Sequence, residues 1–239
     1  MQVNKDGNGY TFAFSIILVV VVGVVLSSLS IGLGPQKKAN VEVKKKINIL
    51  SALGVESTRK DGSEKYEQYI TDSYVISHDG VLQENLPVEK QAFNLDVQKQ
   101  FRDKKIKEDD RLYPVFEAEK DGDKLYVLPV VGKGLWGPIW GFIALSEDFE
   151  TILGTSFDHA GETPGLGAEI SQGFFENRYI GEKIANNGTF TPIIVVQNGT
   201  GSETQKVDGI TGGTITSKGV EKMVNETMKV YYKYFSKNK

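Results

Sequence analysis

LYPVFEAEKDGDKLYVLPVVGKGLWGPIWGFIAL, residues 112–145, decides how the chain is to be read. Leu112 to Ala118 and Leu125 to Val131 are rich in β-formers. Between them lies Glu119-Lys120-Asp121-Gly122-Asp123-Lys124, whose Asp-Gly pair favours a tight reversal. The pattern predicts a hairpin. A second turn, Gly132-Lys133-Gly134-Leu135-Trp136-Gly137-Pro138, leads into an apolar strand from Ile139 to Leu145, and Pro192 to Gln197 is a further strand. No repeat of 20 to 50 residues is visible, which argues against a solenoid. The expected class is α+β, with one antiparallel or mixed sheet and packed helices in a single domain.

The chain has 239 residues, enough for one domain with a proper core once an apolar N-terminal segment is set aside. Lys plus Arg number 28 against 31 Asp plus Glu, a net charge of -3, so no global positive field exists to hold a phosphate backbone and nucleic acid is not an expected partner. The absence of cysteine excludes disulfides, thiolate zinc sites and cysteine-bound iron-sulfur clusters. Any redox chemistry therefore needs an organic cofactor.

Phe12 to Leu33 is a run of 22 residues without a charge, long enough at about 1.5 Å per residue to cross a hydrocarbon core of about 30 Å. The run exceeds the usual apolar region of a cleaved signal peptide and no strongly basic stretch precedes it, so an uncleaved anchor is expected. The organisation is then a tail over 1–11, a transmembrane helix over 12–33 and a folded domain over 34–239. Within it a connecting helix is expected over 41–53, carrying the stripe Val43, Ile47, Leu50 and ending at Gly54. Lys37, Lys38, Lys44, Lys45 and Lys46 follow the span, and by the positive-inside tendency they would hold the domain in the cytoplasm. Asn85 to Asp110 is highly charged and reads as partly helical, and residues 58–110 carry no functional motif.

Two glycine-rich segments stand out. Gly161-Glu162-Thr163-Pro164-Gly165-Leu166-Gly167 can bring backbone N–H groups close to a flat ligand with Leu166 packed on its face, or be a surface turn before a helix near Ala168. Asp208-Gly209-Ile210-Thr211-Gly212-Gly213-Thr214-Ile215-Thr216-Ser217 precedes an amphipathic stripe, Val220, Met223, Val224, Thr227, Tyr231, Tyr234 and Phe235, which marks a helix beginning near Ser217 or Lys218. A hydroxyl-rich loop at a helix N-terminus suits a phosphate, with Lys218 as counter-charge, although Thr216 or Ser217 also serves as a simple cap. Asp158, His159 and Glu162 hold ligand-type groups, but three on one loop with His78 distant read as a solvated cluster, so no metal is expected. Neither histidine lies near a nucleophile-elbow pattern. Trp140 and the aromatics from Tyr231 to Phe235 read as core.

Asp208, Thr211-Gly212-Gly213-Thr214 and Thr216 resemble the flavinylation motif Asp-x-x-(Ser/Thr)-Gly-Ala-Thr-x-(Ser/Thr), with Gly213 in place of the usual alanine. Gly161 to Gly167 and Gly132 to Pro138 resemble the Gly-Glu-Thr-Pro-Gly-Leu-Gly and Gly-Lys-Gly-Leu-Trp-Gly segments of the same flavin domains. With the single N-terminal span and the helix around Lys46-Ile47-Asn48-Ile49-Leu50, the chain is similar to the family of covalent-FMN subunits of Na+-translocating NADH:quinone oxidoreductases, FMN being flavin mononucleotide.

That resemblance implies covalent FMN joined by a phosphoester to Thr214. Asp208, Thr211, Gly212, Gly213, Thr216 and Lys218 are implied around the phosphate. Glu162, Thr163, Gly165 and Leu166 are implied on the second loop, and Leu135 and Trp136 on the turn. No residue is implied to be catalytic on its own. A flavin transferase would load the cofactor from FAD, and the other subunits of an inner-membrane complex carrying electrons from NADH to ubiquinone, coupled to Na+, would be the partners. Because that loading is periplasmic, the resemblance also implies a periplasmic domain, against the lysine bias. Two alternatives stay open: the related FMN-bearing subunit of ferredoxin:NAD-type membrane electron-transport complexes, and a flavin-free assembly module.

Overall fold

The computed structural model describes residues 8–186, 188–197, 199, 201 and 204–237, so most of the expected 1–11 tail lies outside the described residues. In chain order the helices are α1 (Asn8–Gly32), α2 (Gly34–Ala52), α3 (Gly62–Tyr69), α4 (Val97–Arg102), α5 (Gly173–Glu176) and α6 (Thr214–Lys237). The strands are β1 (Ile70–Ser77), β2 (Leu82–Gln83), β3 (Leu112–Lys120), β4 (Asp123–Lys133), β5 (Pro138–Leu145), β6 (Ile152–His159), β7 (Ala185–Asn186), β8 (Thr189–Phe190), β9 (Ile194–Val196) and β10 (Lys206–Asp208). Two compact units result, one running to Lys45 and one from Lys46 to the end.

In the first unit α1 is long and apolar enough to cross a membrane, and none of its residues is buried in protein. Its helical pattern passes to α2 with a break only at Leu33, whose N–H still donates to the Leu29 carbonyl at 2.9 Å. Pro35 explains the break, because it has no N–H to continue the ladder and its ring crowds the carbonyl four residues earlier. The connecting helix thus begins at Gly34, seven residues before the expected start at Val41. Its other end closes as the sequence pattern predicts. Gly54, with φ of 67°, donates to the Ser51 carbonyl while the Val55 N–H reaches back to that of Leu50, both at 2.9 Å.

The second unit is built on a six-stranded sheet in the order β2-β1-β3-β4-β5-β6, antiparallel throughout. The expected hairpin is β3–β4, reversing through Asp121 and Gly122, whose φ values of 57° and 89° are those of a primed turn that matches the strand twist. The strand expected from Ile139 is β5, and the one expected over 192–197 is β9. The α+β class holds. Only β9 and β10 pair in parallel, in a separate two-stranded ribbon.

The near-continuous apolar runs of β4 and β5 follow from burial of both sheet faces. Tyr126, Leu128, Val130, Ile139, Ile143 and Leu145 point into one core with Val220, Met223, Val224, Met228, Tyr231 and Phe235 of α6. Leu125, Val127, Phe142 and Ala144 point into the other, against Ile49, Ala52 and Leu53 at the end of α2. Successive strand residues face opposite sides, so a strand covered on both must be apolar at nearly every position. Each such large side chain contributes about 1.5–3 kcal/mol on burial.

The buried Tyr231 of α6 resolves a problem that two prolines create. β3 and β4 pair only from Phe116 opposite Val127 to Lys120 opposite Asp123, and beyond that point Pro114 and Pro129 have no N–H to offer. The Tyr231 hydroxyl reaches into this opening, donating to the Pro114 carbonyl at 2.8 Å and lying 3.1 Å from that of Pro129. Tyr231→Phe keeps the ring and removes this bond, and is expected to lower the unfolding free energy by about 1–3 kcal/mol in denaturant titration.

Candidate functional site

The site forms where the N-terminus of α6 crosses the end of β4. A Cβ on Gly132 would stand 2.7 Å from the Met223 Cβ, and one on Gly219 2.5 Å from the Lys133 carbonyl oxygen, so the helix lies against the sheet backbone here. This contact sets the head of α6 beside the turn that follows β4.

The helix begins at Thr214, three residues earlier than expected, because Thr216 and Ser217 have partners other than a cap. Ser217 is fully buried. Its hydroxyl donates to the Gly213 carbonyl at 2.9 Å and accepts from the Ile210 N–H at 3.0 Å, closing the loop onto the first turn. Thr216, also buried, donates its hydroxyl to Glu162 Oε2 at 2.6 Å. The other carboxylate oxygen, Oε1, accepts from the Trp136 N–H at 2.8 Å, and the Glu162 N–H donates to His159 Nδ1 at 3.1 Å.

Glu162 is only 4 % exposed and links the turn 132–138, the loop 161–167 and the head of α6. It is a structural bridge and not part of a solvated Asp158–His159–Glu162 cluster, and among the described residues no group of three or more His, Asp or Glu could hold a metal ion. Two glycines leave room for it: a Cβ on Gly134 would stand 2.6 Å from Oε1, and one on Gly167 would stand 2.6 Å from Oε2 and collide with the Thr216 hydroxyl.

Of the four loop hydroxyls, those of Thr216 and Ser217 are buried and bonded, while Thr211 and Thr214 are exposed. Thr214 is the first helical residue, so its N–H and those of Ile215 and Thr216 precede the first intrahelical bond, from the Ser217 N–H to the Gly213 carbonyl at 2.9 Å. Gly212 needs to be glycine twice over, having φ of 75° and a virtual Cβ only 2.7 Å from Leu166 Cδ2. At Gly213 a Cβ would meet Ile210 at 3.0 Å, a tight but yielding contact.

Other expected site residues are more scattered. Leu166 touches the loop and is 42 % exposed, Leu135 and Trp136 are 46 % and 70 % exposed, and Ile215, which no motif marked, is 60 % exposed. The Thr163 carbonyl accepts from the Leu166 and Ala168 N–H groups at 3.1 Å, and the Gly165 N–H donates to Glu169, so these two shape their own loop. Lys218 does not stand ready as a counter-charge: its ammonium pairs with Glu221 at 2.7 Å. Asp208 ends β10, and its carboxylate accepts from the Gly201 N–H at 3.2 Å.

Two residues were not legible beforehand. Arg178, stacked over Phe174, donates Nη1 to the Asp208 and Gly209 carbonyls at 2.6 and 3.2 Å, bracing the start of the loop. Its neighbour Tyr179 is fully buried, and desolvation, with the Glu221 charge adding to it, raises its hydroxyl well above the ordinary range. Gln197, just past β9, donates Nε2 to Thr214 Oγ1 at 2.5 Å. Only the end of the strand expected over 192–197 pointed to it.

Residues 134–229 match the family described as FMN-binding domain. NqrC of Vibrio parahaemolyticus, a subunit of the Na(+)-translocating NADH-quinone reductase, is 31% identical over 237 residues, covering 92% of this chain and 90% of that protein. The corresponding protein of Haemophilus ducreyi is 28% identical over 229 residues, covering 91% and 88%. The crystal structure of the corresponding protein from Parabacteroides distasonis superposes with a TM-score of 0.74 at 38% identity, covering 84% of this chain and 96% of that one. Shewanella oneidensis NqrC shares the fold, with a TM-score of 0.68 at 20% identity, covering 84% and 100%.

If the Glu162 bridge holds the three segments together, Glu162→Ala, which strands the buried Trp136 N–H and Thr216 hydroxyl, is expected to lower the unfolding free energy by about 2–4 kcal/mol. Glu162→Gln, which keeps the shape and can reverse one bond, should lose about half as much. Denaturant unfolding followed by the fluorescence of Trp136 and Trp140 measures both.

Proposed function

Because the chain belongs to the NqrC family of Na(+)-translocating NADH-quinone reductase subunits, we propose that it carries FMN esterified to Thr214 and passes electrons within that membrane complex. The chain is membrane-anchored through α1. Bound FMN supplies reversible uptake and release of electrons.

The observation that carries the reading is the contrast among the loop hydroxyls. Thr216 and Ser217 spend theirs on Glu162, Gly213 and Ile210, whereas Thr214 is exposed at the first residue of α6. A phosphoester there meets first-turn N–H groups and the positive end of the helix dipole, which Thr211, three residues further out, does not. The surroundings fit a flat, partly apolar ring system. Leu135, Trp136, Leu166 and Ile215 expose apolar surface near the loop, and glycines at 212 and 213 keep its backbone bare. Glu162 holds the three segments in register, and Arg178 fixes the carbonyls from which the loop departs.

A flavin transferase using FAD is the proposed loading partner, with Asp208 serving recognition or loop geometry. The other subunits supply and accept the electrons, and NADH oxidation, quinone reduction and Na+ coupling belong to the complex and not to this chain alone. Periplasmic loading places the folded domain in the periplasm, against the bias of Lys37, Lys38 and Lys44 to Lys46.

Coexpressed with a flavin transferase, the chain is expected to gain the mass of FMN less one water, on a peptide containing Thr214. Thr214→Ala should lose the increment and Thr214→Ser retain part of it, while any adduct on Thr211→Ala should still map to Thr214. A fully labelled Thr214→Ala protein would sink the assignment. For topology, a reporter active only in the periplasm is expected to work when fused at the C-terminus; silence there with an active cytoplasmic reporter would reverse the orientation.

A further inference from the structure

We infer that Gln197 is the positioning residue of flavin loading, its side-chain amide orienting the Thr214 hydroxyl for attack on the dinucleotide. This inference rests on the assignment of Thr214 as the attachment point. The amide touches the reacting atom itself, since Gln197 Nε2 donates to Thr214 Oγ1 at 2.5 Å.

Gln197 is delivered by a segment whose backbone is fastened to the helix that Thr214 begins. The Val195 N–H donates to Glu221 Oε2 at 2.5 Å, and the Asn225 side chain pairs with both backbone groups of Ile193, accepting at 2.9 Å and donating at 2.8 Å. On the other side β9 pairs with β10, and the Val196 carbonyl accepts from the Gly209 N–H at 2.6 Å. Residues 193–196 are thus held from two directions, by α6 and by the strand leading into the loop. The amide then has a short reach to Oγ1 from a fixed base, which is how a supporting side chain limits the rotamers of a nucleophile.

The chemistry suits an amide. In loading, a bond forms between Thr214 Oγ1 and the flavin-side phosphorus of FAD. The pyrophosphate P–O bond breaks, AMP leaves with the bridging oxygen, and the hydroxyl proton passes to a base of the transferase. An N–H donated to Oγ1 occupies one lone pair, so the other lone pair is free to attack and the hydroxyl proton points away from Gln197, toward the base. The second N–H of the same amide is a neutral donor for a phosphoryl oxygen. A carboxylate at 197 would instead accept the hydroxyl proton and repel the incoming phosphate.

The test uses the full chain in detergent with purified flavin transferase and FAD, reading initial rates of covalent flavin fluorescence in gels as the acceptor concentration is varied. Gln197→Ala is expected to lower kcat about five- to tenfold, the loss of one hydrogen bond to the reacting oxygen, with KM nearly unchanged. Gln197→Glu should fall further. Wild-type kcat in both variants would overturn the inference, and so would a rise in KM alone, which would make Gln197 a docking contact. The two failures are separable. Label on Thr214→Ala defeats the attachment site itself, whereas a Thr214-dependent reaction indifferent to Gln197 defeats only its role. Unchanged unfolding midpoints in the Gln197 variants are the expected accompaniment; a kcat loss that tracked a lowered midpoint would reduce Gln197 to a structural contact and overturn the inference.

Discussion

A buried carboxylate is the constraint on which the site depends. Removing an acid from water costs several kcal/mol unless hydrogen bonds replace those lost, and Glu162 regains them from groups on two other segments, the Trp136 N–H and the Thr216 hydroxyl. The arrangement therefore works in both directions. The carboxylate is tolerated because the turn and the helix head are there, and they are fixed because their donors would otherwise be stranded. Gly134 and Gly167 are a consequence, since any side chain at either position would occupy space that the carboxylate fills.

The long helix α6 carries this local order into the rest of the domain. One face completes the core above the sheet, and Tyr231 mends the ladder that Pro114 and Pro129 interrupt. Its flank supplies Glu221 and Asn225, which act toward β9 as a neighbouring strand would, so the ribbon β9–β10 is held by side chains where a sheet edge would otherwise be open. The ribbon in turn brings Asp208 and Gln197 to the head of the same helix. A displacement of α6 would move the hydroxyl, its amide donor and the loop together, which suits a site that has to be presented intact to another enzyme.

The apolar span, the β3–β4 hairpin, the α2 cap and the α6 stripe were all legible before any coordinates, each from a local signal: absence of charge, an Asp-Gly pair, a glycine after a periodic run, a recurrence at helical spacing. Strands β1 and β6 and helix α3 were not anticipated, because their residues are mixed in polarity and their identity comes from pairing with distant strands. The start of α6 was placed too late for a related reason. Thr216 and Ser217 are good caps by composition, and only the buried partners Glu162, Gly213 and Ile210 withdraw them from that task.

By itself the sequence determined that a hydroxyl-rich, glycine-bearing loop stands at the head of an amphipathic helix, in a mixed α and β domain behind a single apolar helix. These are properties of neighbours along the chain, and periodicity and turn chemistry reveal them. Which hydroxyl is free, where the Glu162 carboxylate goes, and that Arg178 and Gln197 belong to the site at all were decided only by the tertiary structure. Glu162 reaches Thr216 across 54 positions, Arg178 reaches Asp208 across 30 and Gln197 reaches Thr214 across 17. Contacts of that range leave no periodic trace in a single sequence, because they exist only once the sheet and α6 have packed.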